Sequence, residues 1–304
     1  MGDKTKIEWT AATWNPVTGC TKVSAGCKHC YAERDFHRPY PGREFTDVRT
    51  HPDRLTQPLR WKRPRKIFVN SMSDLFHESV PEKFIGKIFA MMSKCPQHIF
   101  QVLTKRPAKM LALIRDDEDC WGPFQEVMFR DSKAEDWPLP NVWLGVSVED
   151  QPTADARIPL LLQTPAAVRF VSYEPALGPV DFAKYLGLPC DHWEEKKPEM
   201  GFLVPHLDWV IAGGESGPKA RSSHPDWFRT VRDQCQTAGV PFFFKQWGEW
   251  GPRTELTKNA ETLHVSGALA DGGKTPIFRW GKKRAGRLLD GREWKEFPKL
   301  KTDH

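Results

Sequence analysis

Three cysteines, Cys20, Cys27 and Cys30, lie in Gly19-Cys20-Thr21-Lys22-Val23-Ser24-Ala25-Gly26-Cys27-Lys28-His29-Cys30-Tyr31-Ala32-Glu33, spaced C-x6-C-x2-C. Thiolates are soft ligands that suit zinc and iron–sulfur clusters. A short loop can wrap three of them around one cubane, with Gly19 and Gly26 allowing a sharp backbone path. Three protein thiolates on a four-iron cubane leave one iron open to a small molecule. The rival chemistry is a Cys3His zinc site made with His29 or His37, a knuckle that binds nucleic acid without catalysis. His29 sits between two of the cysteines and is poorly placed as a fourth ligand to the same ion. Cys95, Cys120, Cys190 and Cys235 are scattered and read as small buried hydrophobes. Seven cysteines with three clustered point to metal or redox chemistry in a reducing cytosol, not to a disulfide framework.

The elements that must position this loop are legible as short apolar runs, each ending in a polar cluster. Ile67-Phe68-Val69 ends in Asn70-Ser71-Met72-Ser73-Asp74. The run from Ile99 to Leu103 ends in Thr104-Lys105-Arg106, and that from Val142 to Val146 in Ser147-Val148-Glu149-Asp150. Val168 to Val171 ends in Ser172-Tyr173-Glu174, Trp209 to Ala212 in Gly213-Gly214-Glu215-Ser216, and Phe242 to Phe244 in Lys245-Gln246-Trp247. Such runs fit strands buried on both faces of a parallel sheet. Helical spacing lies between them, at Pro81 to Ser93, Asp155 to Leu162 and Pro225 to Gly239, the last with proline in the first turn and glycine as C-cap.

This alternation, with one more strand before the cysteines, predicts an α/β fold, a full or partial (β/α) barrel over residues 1–250. The polar clusters would then gather at one face and carry the site. Asp116 to Pro140 and Pro189 to Pro205 interrupt the rhythm as lid-like insertions. Residues 251–304 read as a basic C-terminal extension, with Arg279, Lys282, Lys283, Arg284, Arg287 and Arg292, packed on the barrel or reaching the substrate. A solvated charged surface is the alternative for that tail.

A cysteine triplet after a first strand, ending Cys-x-x-Cys-Tyr and followed by a βα barrel, resembles the radical S-adenosylmethionine (SAM) superfamily. The segments Glu8-Trp9-Thr10, Trp14-Asn15-Pro16-Val17-Thr18-Gly19-Cys20 and Cys27-Lys28-His29-Cys30-Tyr31-Ala32-Glu33 are more closely similar to a phage- and prophage-encoded family of unknown function. So are Asn70-Ser71-Met72-Ser73-Asp74, Val171-Ser172-Tyr173-Glu174-Pro175 and Gly213-Gly214-Glu215-Ser216. The commonest superfamily spacing is C-x3-C-x2-C, so the loop from Thr21 to Gly26 must bulge.

The resemblance implies a [4Fe–4S] cluster on Cys20, Cys27 and Cys30 and reductive cleavage of SAM to abstract hydrogen from a substrate. It implies that Asn70, Ser71 and Asp74 meet the amino-acid end of SAM. Arg106, with Lys105 as substitute, would pair with the SAM carboxylate; the alternative is an exposed basic turn before Pro107. Ser147 and Glu149 would bind ribose, and Gly213 and Gly214 would allow close approach of the adenine or sulfonium end. Tyr173, Glu174, Glu215, Lys245, Gln246 and Trp247 are candidate substrate contacts: Lys245 to a phosphate, Trp247 stacked on a base, Glu174 or Glu215 handling a proton. Each of these has a structural alternative at a barrel rim.

The chain has 304 residues, 39% hydrophobic and 28% charged, which suits a folded globular protein and argues against wholesale disorder. A net charge of +6 with thirteen tryptophans is compatible with a nucleotide or nucleic-acid partner, as in DNA modification or repair. A peptide or small metabolite is the other substrate class. The polar N-terminus and the lack of a long apolar run predict a cytoplasmic protein without a membrane partner. A reducing partner such as flavodoxin or ferredoxin would supply electrons.

Overall fold

The computed structural model describes residues 5–114, 122–132, 137–188, 206–252, 261–266 and 274–299. It divides into two compact units, Met1–Ser147 with Pro159–Arg169, and Val148–Ile158 with Phe170–His304. The whole of the predicted insertion at Pro189 to Pro205 lies outside the described residues, as do Cys120 and Cys190.

The first unit runs β1 (Ala12–Trp14), β2 (Val17–Thr18), α1 (Tyr31–Phe36), β3 (Arg49–Thr50), β4 (Lys66–Val69), α2 (Glu82–Ser93), β5 (Ile99–Thr104), α3 (Pro107–Ile114), α4 (Pro123–Asp131) and β6 (Val142–Val148). β1 pairs in parallel with β4, β4 with β5 and β5 with β6. All seven residues of β6 are buried, as a strand covered on both faces requires. Phe84, Ile85, Ile88, Phe89 and Met92 make the buried face of α2. Gly86 is what lets α4 lie against that helix, since a Cβ there would come within 2.6 Å of the Phe124 carbonyl oxygen. α4 falls in the first predicted insertion. Its proline at the first helical position and the Gln125 side chain accepting from the Gly122 amide at 3.1 Å start a helix that the surrounding Trp- and Pro-rich composition obscured.

The second unit follows with α5 (Gln151–Gln163), whose last residues belong to the first unit, then β7 (Val168–Tyr173), β8 (Trp209–Gly213), α6 (Pro225–Ala238), β9 (Phe242–Gln246), β10 (Trp250–Gly251), β11 (Glu261–Ser266), β12 (Lys274–Arg279) and α7 (Lys282–Ala285). α5 starts before the predicted Asp155. Asp150 accepts from the Thr153 amide at 3.0 Å and Thr153 Oγ1 accepts from the Asp150 amide at 3.1 Å, a reciprocal cap upstream of the apolar spacing. α6 begins with His224 accepting from the Asp226 amide and ends at Gly239 in the left-handed conformation, φ 68°.

Seven strands form one parallel sheet in the order β1-β4-β5-β6-β7-β8-β9, the partial (β/α) barrel class. β10, β12 and β11 make a separate antiparallel sheet. In the second unit the tail returns to the edge of β9: the Phe244 amide donates to Trp294 O at 2.9 Å and the Glu296 amide to Phe242 O at 3.1 Å. The tail thus pairs backbone groups that an edge strand would leave open. No helix among the described residues is long and apolar enough to cross a membrane.

Candidate functional site

The cysteine loop is tied to the first unit by its backbone. Gly19 has φ 92°, and its amide donates to Met72 O at 3.1 Å, while the Cys20 amide donates to Phe45 O at 2.8 Å. Cys27 ends a single 3-10 turn, and Cys30 immediately precedes α1. α1 is short because Pro39 follows closely and disfavours helix in the residue before it. It buries Ala32 and Phe36 with Phe45, and Cys20, Cys30, Tyr40 and Met72 pack on this cluster. The extra residues between the first two cysteines therefore bulge from a hydrophobic base.

All three free thiols line one cleft of about 150 Å³, at the ends of β4, β5 and β6. Asn70, Ser71, Asp74, Lys105, Arg106 and Ser147 line it too. Burial pushes the Cys20 thiol up to about 11; Asp74 adds to the rise and Arg106 opposes it. Burial also raises Cys30, against the Glu33 and Ala32 amides.

Asn70 is buried, with φ 62°. Its Oδ1 accepts from the Val17 amide at 3.2 Å, which fixes the amide orientation and leaves Nδ2 as a buried donor with no hydrogen-bond partner. Ser71 Oγ donates to Asn15 Oδ1 at 3.2 Å.

Asp74 is saturated. Oδ1 accepts from Thr104 Oγ1 at 2.7 Å and the Phe76 amide at 3.0 Å; Oδ2 accepts from the Lys105 amide at 2.9 Å and Arg106 Nη1 at 3.4 Å. Arg106 is equally engaged. Nε donates to both Glu78 oxygens at 3.0 Å, Nη1 to Cys20 Sγ at 3.6 Å as well as Asp74, and Nη2 to Thr21 O at 3.2 Å and Thr21 Oγ1 at 2.9 Å. These contacts account for all five guanidinium N–H groups. Sequence reasoning missed Asn15, Thr21, His77, Glu78 and Thr104. The nearest signal was their place within or beside the strand-end clusters and the cysteine loop.

In the second unit, Glu149 is fully buried and accepts from Arg157 Nη1 at 3.1 Å. Tyr173 is buried, raised in pKa chiefly by that burial, and donates to Gly178 O. Arg221 grips Glu215 through Nε at 2.9 Å and Nη2 at 2.6 Å. Trp247 is buried beside Phe228 and Phe244, with its indole N–H donated to Leu288 O at 2.8 Å. Gln246 Nε2 donates to Gly214 O at 3.0 Å. Lys245 Nζ lies 3.0 Å from Glu174 Oε1, and Ser172 Oγ donates to Glu174 Oε2 at 3.1 Å. Gly213 makes room for that carboxylate, since its Cβ would stand 2.6 Å from Glu174 Oε1; a Cβ on Gly214 would overlap the Trp247 carbonyl.

The donor set of the first unit fits a polynuclear cluster. Among the described residues, no three Cys, His, Asp or Glu side chains gather around a single metal-ion position. A tetrahedral zinc with Zn–S of about 2.3 Å would draw its sulfurs to roughly 3.8 Å from one another. A cubane takes each thiolate on a different iron, so its ligating sulfurs stand farther apart than those around one zinc. The cleft, at about 150 Å³, is well above the roughly 10–15 Å³ that a single water needs. The orphaned Asn70 Nδ2 in the same lining wants an acceptor.

Solved structures similar to this chain include a cysteine-to-serine mutant of spore photoproduct lyase, with TM-score 0.41, 11% identity, and coverage of 92% of this chain and 71% of that one. A double mutant of the same lyase, with bound AdoMet and dinucleoside spore photoproduct, has TM-score 0.40 and 9% identity over 88% of this chain and 68% of that one. No curated protein sequence matches the chain. The model of the family described as "Protein of unknown function (DUF5131)" matches residues 4–298, and the chain belongs to that family.

Proposed function

We propose that this protein is a radical SAM enzyme that binds a [4Fe–4S] cluster on Cys20, Cys27 and Cys30. The observation that carries the proposal is the meeting of three free thiols from one loop in a single strand-end cleft. Held by Cys20, Cys27 and Cys30, the cluster would supply the electron for reductive SAM cleavage and so for hydrogen abstraction from a substrate. The chain's own part is to hold and orient. Asn70 Nδ2 would donate to an acceptor on the bound group, which relieves the cost of a buried unpaired donor, about 1–3 kcal/mol. Ser71 and Ser147 add polar lining. The Phe36 and Phe45 cluster backs Cys20 and Cys30 with apolar surface.

A nucleotide or DNA is the substrate class we favour, on the net charge of +6 and the Lys245 ammonium at a strand end, where a phosphate could displace its pairing with Glu174. A low-potential flavodoxin or ferredoxin would be the electron donor, in the cytoplasm. Glu149, Tyr173, Glu215 and Trp247 are committed to internal bonds and packing, and the proposal gives them no contact with substrate.

The deciding experiment is iron, sulfide and zinc analysis after anaerobic purification, with electron paramagnetic resonance with and without SAM. The Cys20→Ala, Cys27→Ala, Cys30→Ala triple variant is the control. About four irons per chain and a signal perturbed by SAM are expected, both lost in the variant. One zinc, no iron and no SAM effect would replace this reading with a nucleic-acid-binding module. Mass spectrometry of nucleosides from cells with and without the gene tests the substrate, and unchanged nucleosides would count against DNA.

A further inference from the structure

Arg106 follows β5, yet four of its contacts lie on the cysteine loop and on the turn after β4. Only 5% of its side chain is exposed. Asp74 and Glu78 hold the guanidinium from one side, and Asp74 is itself fixed by Thr104 and two amides. Lys109 holds the turn that carries Glu78, with Nζ donating to His77 O at 2.8 Å and Val80 O at 3.1 Å. The free end of the fork then reaches Cys20 Sγ and both oxygens of Thr21.

Thr21 is met from a second direction. His77 Nδ1 accepts from the Ser79 amide at 3.1 Å, so its proton sits on Nε2 and is donated to Thr21 Oγ1 at 2.9 Å. The residue next to Cys20 is thus clamped by two side chains that belong to other segments.

We propose that Arg106 is a positioning residue for the metal centre: it orients Cys20 by clamping Thr21 and donates a charge-assisted hydrogen bond to the Cys20 sulfur. This rests on the cluster reading above and departs from pairing Arg106 with the SAM carboxylate, because its five N–H groups are already taken. An N–H donor and a positive charge beside a ligating sulfur favour the more negative, reduced state of a cluster. Removing them makes the cluster harder to reduce. The saturated Asp74 serves as the anchor of the clamp.

The test compares wild type with Arg106→Gln by two readouts that are independent of turnover. The first is the midpoint potential of the reconstituted cluster, followed by electron paramagnetic resonance. The second is hydrogen exchange of residues 19–24 in cluster-free protein. We expect the reduction equilibrium to fall about tenfold, or about 59 mV for one electron, and exchange at the Cys20 amide to rise about tenfold. An unchanged potential in iron-loaded Arg106→Gln would overturn the assignment, and so would faster exchange alone, which a merely structural residue also produces. If Arg106→Gln fails to fold, Glu78→Gln decides, because it removes only the exposed anchor. A smaller fall in potential supports the role, and a wild-type potential overturns it. Wild-type protein that takes up no iron would instead sink the cluster reading, and this is read before any variant is made.

Discussion

Gly19→Ala is the sharpest probe of how the loop is held. The residue has φ 92°, and an added Cβ would lie 2.6 Å from the Asp47 carbonyl oxygen and 2.8 Å from that of Phe45. Both are backbone atoms, and ordinary contact begins near 3.4 Å, so the segment carrying Asp47 must retreat by about 0.8 Å. An L-residue in the left-handed region costs about 1–2 kcal/mol, and overpacking adds about 1–3 kcal/mol. Part of this is offset by about 0.4–1 kcal/mol from the stiffer unfolded chain. The expected loss is about 2–4 kcal/mol. The retreat also breaks the register of the neighbouring Cys20 amide on Phe45 O, so iron content after reconstitution should drop sharply. Gly42→Ala is the internal control: φ is 73°, but nothing lies within 4 Å of its added Cβ. It should cost only about 1 kcal/mol and retain full iron. Urea unfolding of cluster-free protein and iron analysis of reconstituted protein read the two variants side by side. Equal destabilisation and equal iron in both would refute the close packing of Gly19 against Phe45 and Asp47.

Other outcomes follow from the same physics. Arg157→Met leaves the fully buried Glu149 carboxylate without its 3.1 Å partner, and should cost about 3–5 kcal/mol in urea unfolding while iron binding by the folded fraction persists. Cys235→Ser puts a hydroxyl into an apolar site on α6 and should destabilise by about 1–3 kcal/mol with iron content unchanged, in contrast to any of the three loop cysteines. Burial, with Arg65 nearby, holds the fully buried His98 below the ordinary imidazole value of 6.5. On acidification the unfolded chain therefore takes up this proton first. Stability should be full above about pH 6.5 and decline below it, and His98→Gln should flatten that decline in urea midpoints taken from pH 7.5 to 5.5.

The positions of the parallel strands were readable in the chain itself, as was the three-cysteine loop whose thiols line one cleft. Apolar runs such as Trp209 to Ala212 and Phe242 to Phe244 are short and unbroken, as a strand covered on both faces requires, and C-x6-C-x2-C is a local spacing. The helix at Pro225 was equally legible, because its proline start and Gly239 stop act through backbone geometry within a few residues. α4 was not, because what holds it is a steric allowance at Gly86, far away in the chain.

The roles of polar residues at the strand ends depended on tertiary structure for the same reason. Residue type says that Arg106, Asp74, Glu149 and Glu215 can bind a charged ligand, but not whether the protein already occupies them. Their partners Thr21, Glu78, Thr104 and Arg157 come from a few to more than eighty residues away, and hydrogen bonds over such separations leave no pattern in a sequence. Trp247 shows the converse: an indole that sequence would allow to stack on a base is packed between phenylalanines that only the fold brings to it. Local spacing thus decided which elements and which thiols this protein has, and the distribution of long-range partners decided which of its polar side chains remain available to a ligand.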